Sequence, residues 1–380
     1  NTQGYYEGYR GVSTSSNGYS LIPVYGDNSY KIFNEGILAT AAIMYKKTDP
    51  EFAGRLMWAW KRLGELETFK DWWWLIDRDI ESIPQELDSY VNWERGQALL
   101  RSDFNTPDEK WFFLFSGRLP VGGSHHANDW NSISLYAYGY PLMLNQGVIK
   151  DENNNRIRET RQKTTVMFGG RDQVRKDNKG IVEFYSGDEV DYTAGDVSKS
   201  AQVSKFIRHA VFIKDSGYII IWDEIEASVY AEWLFHSPAE EIAETEFGFR
   251  SITPWGVNLD VHVLLPEEIK VSDQGEYRIN HPGFDKQRNV NIYNEANKDY
   301  IILLRPYKVK DSQDDFKAEL IDENVIKVAY DNQKDYIMLF PEETKYNNEE
   351  FNIGLEGKIG VVREGTISNN SIVINGKSVK

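Results

Sequence analysis

The 380-residue chain contains no cysteine, so disulfide bonds, cysteine-ligated zinc and a thiol nucleophile are all excluded. It also lacks any stretch close to the roughly 18 uninterrupted apolar residues of a membrane-spanning helix, and we expect no membrane contact. The first residues, Asn1–Gly4, have neither the charged nor the apolar region of a signal peptide, as expected of a mature or truncated chain.

Basic residues are fewer than acidic ones: the chain has 43 Lys and Arg and 59 Asp and Glu, which gives a net charge of −16. Phosphate binding requires a basic surface, so nucleic acid is excluded as a partner. A polyanionic ligand would need a local cationic or hydrogen-bonding cleft within this acidic surface. With 41% hydrophobic and 13% aromatic residues, the chain can build a large core, and its length suits two domains.

The first ninety residues predict helices that follow a Gly-, Tyr- and Ser-rich loop over residues 1–30. Helical spacing of apolar residues predicts helices at 31–47, 51–65 and 70–79. Asp49 and Pro50 predict the start of the second one, since Asp caps a helix and proline suits its first position. Two or three such helices cannot bury their own apolar faces, so we expect more helices upstream.

From about residue 95 the apolar pattern changes to period two, which predicts strands. The predicted strands include residues 110–116, 131–138, 203–213, 217–225, 230–236, 257–265, 299–305, 325–330, 335–340 and 358–363, with turns at 214–217 and 331–332. Many strands without intervening helices predict a large antiparallel β-sandwich. The predicted domains are therefore residues 1–92, helical, and 93–380, the sandwich, with a small β-rich subdomain from about residue 310.

Residues 101–148 contain the strongest chemical signals. A glycine-flanked loop presents His125 and His126 just before the predicted strand 131–138. In that strand one face carries Ile133, Leu135 and Ala137, and the other carries Ser132, Ser134, Tyr136 and Tyr138. Hydroxyls and rings beside exposed imidazoles predict the floor of a sugar-binding cleft.

This region resembles the heparinase II/III-type C-terminal domain of heparinases and alginate lyases. The resemblance is carried by Ser124 to Asp129, by the strand ending at Gly139 with Pro141-Leu142 after it, and by Asn145-Gln146-Gly147. Looser matches lie at Pro23 to Asp27, Arg208 to Asp223 and Trp233 to His236. The resemblance implies the end of an α/α toroid followed by an antiparallel β-sandwich, in a secreted or periplasmic bacterial enzyme.

Carried over residue by residue, the resemblance implies that His125 is catalytic and that Asp129 matches the Asp of the motif. The second histidine of that motif, a metal ligand in several members, falls on Ala127, and a further Asp ligand falls on Asn145. We therefore expect no required cofactor, with a structural divalent metal, held in part by His126, as the alternative. The toroid's tyrosine and its Asn or His have no match in this chain and are expected upstream.

The implied chemistry is β-elimination on a uronic-acid polymer, with alginate as the first choice. The base removes the C5 proton once the neighbouring carboxylate is neutralised, and an acid protonates the oxygen that leaves C4. Histidine titrates near neutrality and can supply either a positive charge or a base. The alternatives are a lyase for heparan sulfate or ulvan, a non-catalytic carbohydrate-binding sandwich and, ranked last, a glycoside hydrolase.

Substrate-binding roles are predicted for residues whose side chains suit an acidic sugar: His126, Asp129, Tyr136, Tyr138, Arg101 and Trp73. Each has a structural alternative. Asp129 can orient its loop, Arg101 and Arg305 can form ion pairs, and at least one of Trp72, Trp73 and Trp74 belongs in a core. His209 is expected in the core or as a metal ligand, and His236 either lines the cleft or lies in the core.

Overall fold

The computed structural model describes residues 36–62, 79–117, 127–145, 158–278, 286–311, 315–368 and 370–374. Helix α1 spans Gly36–Tyr45 and α2 spans Pro50–Arg62. They pack against each other through Ala39, Ala42, Ala53, Met57 and Trp60. Asp49 caps α2 as predicted, because its Oδ1 accepts a hydrogen bond of 2.9 Å from the backbone of Phe52. The predicted helix at 70–79 falls almost entirely outside the described residues.

The rest of the described chain is dominated by antiparallel strands. They are β1 (Tyr90–Asn92), β2 (Gln97–Ser102), β3 (Lys110–Phe115), β4 (Ser132–Ala137), β5 (Tyr140–Met143), β6 (Val166–Phe168), β7 (Gly180–Ser186), β8 (Val190–Asp196), β9 (Lys205–Ile213), β10 (Ile219–Glu226), β11 (Ala231–Ser237), β12 (Glu241–Thr245), β13 (Gly248–Ile252), β14 (Val257–Leu265), β15 (Lys270–Arg278), β16 (Lys286–Asn294), β17 (Tyr300–Lys308), β18 (Lys317–Asp322), β19 (Val325–Tyr330), β20 (Gln333–Asn348), β21 (Ile353–Gly365) and β22 (Asn370–Ile374). A four-residue helix, α3 (Ser198–Ala201), and two 3-10 turns, Thr160–Gln162 and Val309–Asp311, complete the elements.

The strands form four sheets. The first sheet has the order β1-β2-β3-β4-β5, and the central sheet has the order β12-β13-β14-β17-β10-β9-β8-β7. The third sheet is β15-β16-β11-β6, and the C-terminal sheet is β18-β19-β20-β21-β22. All the recorded strand pairs are antiparallel, so the predicted β-rich class is confirmed, whereas the toroid and the domain boundaries remain predictions.

The central sheet is buried on both faces. On β10, Ile219 and Ile221 belong to the core shared with the first and third sheets, whereas Ile220 and Trp222 belong to the core shared with the C-terminal sheet. This double burial explains why the first half of β10, Ile219–Trp222, is an unbroken apolar run rather than an alternating one. The described molecule is thus a stack of β-layers with the central sheet in the middle.

Most predicted strands lie where the sequence places them. The predicted ranges 257–265 and 325–330 coincide with β14 and β19, and the turn at residues 331–332 has positive φ at both positions, as a tight hairpin requires. Among the described helices, none is both long enough and apolar enough to cross a bilayer.

Candidate functional site

The two histidines predicted to act on the substrate, His125 and His126, lie outside the described residues, as does Trp73. The described chain ends at Gly117 before this segment and resumes at Ala127 after it. The structure therefore describes the residues on either side of the histidine segment, up to Gly117 and from Ala127 onward.

Residues Asn128–Ser132, here called the platform, are held by hydrogen bonds at every position. The backbone of Asn128 donates to the carbonyl of Arg158 over 2.9 Å. Gln173 accepts from the Trp130 backbone N–H (2.8 Å) and donates to its carbonyl (2.9 Å), and Thr165 donates to the same carbonyl. Hydrogen bonds at each of these five residues leave this part of the chain little freedom.

Asn131 connects the platform to β8 and β9 of the central sheet. Its side chain accepts from the Ser116 hydroxyl (2.6 Å) and donates to the Gly195 carbonyl (2.9 Å). Its own carbonyl accepts from Nη1 of Arg208 over 2.7 Å. Arg208 is in turn fixed by two 2.6 Å bonds to Asp223, and both side chains are fully buried. A bidentate pair satisfies both charges, so it can anchor the platform from the central sheet.

Asp129 and Asn145 face each other inside the protein, each about 1% exposed. Nδ2 of Asn145 donates to Oδ2 of Asp129 and to the hydroxyl of Ser132, both over 3.0 Å. A metal ligand must present a lone pair, but Asn145 directs one N–H at the Asp129 carboxylate and the other at the Ser132 hydroxyl, and Ala127 has no side-chain donor atom. These residues do not fit the divalent metal that the resemblance leaves open.

A second polar group lies beside the platform on the face of β11 that points away from the core. Glu232 bonds to Arg161 (3.2 Å) and Asn291 (2.9 Å), and Nδ1 of His236 lies 2.6 Å from Oδ1 of Asn289. The His236 carbonyl accepts from the backbone of Leu144, directly before Asn145. Burial lowers the pKa of His236 to about 4, so its imidazole is neutral near pH 7.

Tyr136 and Arg101 lie on the outer face of the first sheet, opposite its core. The register aligns Arg101 with Trp111 and Trp111 with Tyr136. The Tyr136 ring stacks on Trp111 at 3.9 Å, and Arg101 lies 3.7 Å from Glu109 and over the ring of Phe104. The sequence predicts an open floor here, but Ser132, Ser134 and Tyr136 are at most 2% exposed. That expectation is wrong for β4, because aromatic neighbours bury its polar face.

Tyr138 lies at the opposite end of β4 from the platform. It lines a cavity of about 430 Å³ together with Lys110, Arg305 and Lys308, and both lysines approach its ring, at 5.3 and 4.8 Å. Six residues of strand separate Tyr138 from Ser132, which is about 20 Å. One sugar unit therefore cannot contact Tyr138 and the platform together. Burial raises the pKa of Tyr138 to about 12, so its hydroxyl stays protonated.

His209 is buried between the central and C-terminal sheets. Its ring stacks on Trp222 at 4.4 Å, and its Nδ1 lies 2.9 Å from the hydroxyl of Tyr192. Within the ranges that the structure describes, no three His, Asp or Glu side chains come together as a metal site would require. The packing matches the core alternative of the sequence analysis rather than the metal-ligand alternative.

Sequence reasoning overlooked Glu232, Asn289 and Asn291. The signal was present in their strands: in β11 Glu232 and His236 alternate with Trp233 and Phe235, and β16 places Asn289 and Asn291 around an apolar Val290. Polar residues on one face of a strand whose other face is core mark either solvent or a buried polar site. In this protein Glu232, His236 and Asn291 are buried.

Comparison with known proteins finds no matching family model and no curated relative. Solved structures do match. A structure of heparinase III is 13% identical with a TM-score of 0.64, over 96% of this chain and 53% of that one. Heparan sulfate lyase HepC from Pedobacter heparinus is 14% identical with a TM-score of 0.63, over 95% and 51%. A further heparinase III gene product is 15% identical with a TM-score of 0.62, over 92% and 50%.

These likenesses extend over nearly all of this chain, which spans about half the length of the structures it matches. At such low identity they establish the fold. The resemblance to heparinase-type polysaccharide lyases, predicted from residues 101–148, is therefore confirmed as a common fold.

Proposed function

We propose that this chain is part of a polysaccharide lyase that cleaves an acidic, uronic-acid-containing polysaccharide by β-elimination. The observation that carries the proposal is the fold, which matches heparinase III and heparan sulfate lyase structures over 92 to 96% of the chain. The histidine-bearing segment adds to it, because it adjoins a platform whose residues are all hydrogen-bonded. A rigid support is what a catalytic side chain requires.

In the proposed reaction His125 contacts the uronate and takes part in proton transfer at C5. The C5 proton becomes acidic only when the adjacent carboxylate is neutralised, so the site needs a cationic or hydrogen-bonding partner for that carboxylate. The tyrosine and the Asn or His expected upstream would supply that partner and the acid. His126 is proposed to bind the substrate from the same segment, and Asp129 is proposed to support that segment by fixing the platform that follows it in the chain.

The substrate class within the uronic-acid polymers is the finer part of the proposal. Alginate is the first choice from the sequence, but the matched structures include a heparan sulfate lyase, which favours heparan sulfate at least as well. Heparan sulfate is therefore the second candidate. For either polymer we propose a secreted or periplasmic location, where such substrates occur.

The test is to incubate the complete protein with alginate, heparan sulfate and ulvan in separate reactions. Elimination creates a double bond conjugated to the carboxylate, so ultraviolet absorbance should rise with the true substrate. A hydrolase would instead release reducing ends without that absorbance, and a non-catalytic sandwich would bind polymer and change neither signal. Either of those two results would overturn the proposal.

A further inference from the structure

We infer that Asp129, Asn145 and Ser132 form a hydrogen-bonded clasp that fixes the platform without a metal ion. We further infer that the clasp requires one carboxylate facing one amide, whichever of the two positions carries which. The inference concerns the folded state and does not depend on the proposed function.

The first support is the fit of donors to acceptors. The Asn145 amide nitrogen has two hydrogens, and the structure gives it two acceptors at 3.0 Å, Oδ2 of Asp129 and Oγ of Ser132. Turning the amide over would place its oxygen against a carboxylate oxygen, so the neighbouring charge dictates the orientation. All three side chains are at most 2% exposed, where an unpaired carboxylate would be costly.

The second support is the set of strands that the clasp connects. Asp129 lies in the platform, where its carbonyl accepts from the backbone of Ser132 over 3.1 Å. Asn145 follows Leu144, whose N–H donates to the His236 carbonyl and whose carbonyl accepts from the Thr164 hydroxyl. The clasp therefore ties the start of β4 to the end of β5, and through it to β11.

The third support is the charge of the cluster. The clasp contains a single carboxyl group, to which the Asn145 amide donates, so no second acid has to be neutralised by a cation. With a second carboxylate at position 145, two buried acids would lie about 3 Å apart and would require a bound cation or a proton. Asn145→Asp should therefore create a dependence on divalent cations that the natural sequence lacks.

The experiment compares thermal unfolding in chelator and in excess Ca²⁺, an ion that prefers oxygen ligands. For the natural protein we expect the same Tm in both conditions. Asn145→Asp should lose several degrees in chelator and regain stability as Ca²⁺ is added, because a ligand that binds only the folded state stabilises it. The matched control is Asn178→Asp, whose buried amide bonds to Ser200 and the Gly117 carbonyl and should not respond to Ca²⁺.

The exchanged pair, Asp129→Asn with Asn145→Asp, tests the clasp even if Asn145→Asp alone fails to fold. It restores one carboxylate facing one amide, so its Tm in chelator should exceed that of Asn145→Asp and approach that of the natural protein. The inference is overturned if the natural protein loses stability in chelator and regains it with Ca²⁺. It is equally overturned if the exchanged pair is no more stable than the single variant.

Discussion

At the scale of single residues, His125 carries the proposed chemistry. We expect His125→Ala to abolish lyase activity on the true substrate while Tm changes by no more than a few degrees, because the platform after it is held by its own hydrogen bonds. Initial rates from product absorbance and a thermal melt measure the two effects. His281→Ala is the matched control, since the sequence around His281 matches no catalytic motif, and the activity of this variant should stay unchanged. An active His125→Ala enzyme would remove His125 from the mechanism.

His262 gives a prediction about stability and pH. Its ring stacks on Phe247 at 3.9 Å and lies 5.5 Å from Phe316, and neither ring nitrogen has a hydrogen-bond partner in the described structure. Burial, aided by Arg305 and Arg250, lowers the pKa of His262 to about 3. Unfolding raises that pKa to about 6.5, so the unfolded chain gains a proton as the pH falls below 6.5. Stability is therefore complete above pH 6.5 and is lost as the pH falls toward 3.

His262→Phe removes this proton uptake. Between pH 7 and pH 5 the natural protein should lose about 2 kcal/mol more unfolding free energy than the variant, as linkage predicts for this pKa difference. The other ionisable groups titrate alike in both proteins, so the comparison isolates this one ring. Urea unfolding at the two pH values measures it. Equal losses in both proteins would mean that His262 takes up a proton as readily in the folded state as in the unfolded state.

At the scale of elements, the crossing of β8 with the platform gives the next prediction. A methyl group on Gly195 would lie 1.9 Å from the Ser116 hydroxyl and 2.8 Å from Oδ1 of Asn131, so it must break the bond between them. We expect Gly195→Ala to lower the unfolding free energy by about 1–3 kcal/mol, the usual cost of overpacking. Activity should fall as well, because Asn131 anchors the platform.

The matched control for Gly195→Ala is Gly354→Ala on β21. The nearest atom to that new methyl group is 3.3 Å away, and the position is exposed. Denaturant unfolding and kcat/KM on the same substrate give the two readouts. If Gly195→Ala behaves like its control in both, the Ser116–Asn131 bond does not hold the platform.

Much of each element could be predicted from local sequence. Asp49 and Pro50 mark the start of α2, and alternation or apolar runs locate β14 and β19 to the residue. The exposure of β4 could not be predicted in this way. Alternation separates its two faces correctly, but whether Tyr136 is open or covered depends on Trp111, which approaches it from another strand.

At the scale of the whole molecule, Arg363 joins the C-terminal sheet to the central sheet. From β21 it bonds to Asp335 within its own sheet, and it reaches Glu189 (3.1 Å) and Asp215 (3.1 Å) in the connections of the central sheet. Arg363 and Asp335 are buried. Arg363→Met should lower the unfolding free energy by about 3–5 kcal/mol, because a buried carboxylate loses its partner.

Chemical denaturation measures the loss in Arg363→Met. The matched control is Lys327→Met, which breaks the pair with the largely exposed Glu319 and should cost under about 1 kcal/mol. Adding Asp335→Asn to Arg363→Met should recover part of the stability, since it removes the buried carboxylate that has lost its arginine partner. A loss no larger than that of the control would show that the network does not hold the sheets together.

By itself the sequence located ten of the strands, the start of α2 and the two histidines that precede β4, because these features arise from the spacing of neighbouring residues. Only the tertiary structure decided which polar groups meet. Arg208 reaches Asn131 across 77 residues and Asn145 reaches Asp129 across 16, while Tyr138, only six residues from Ser132, is carried to the far end of the same strand. Periodicity fixes the face on which a side chain lies. Which residue that side chain contacts is fixed by sheet order and register, and these depend on contacts between distant parts of the chain.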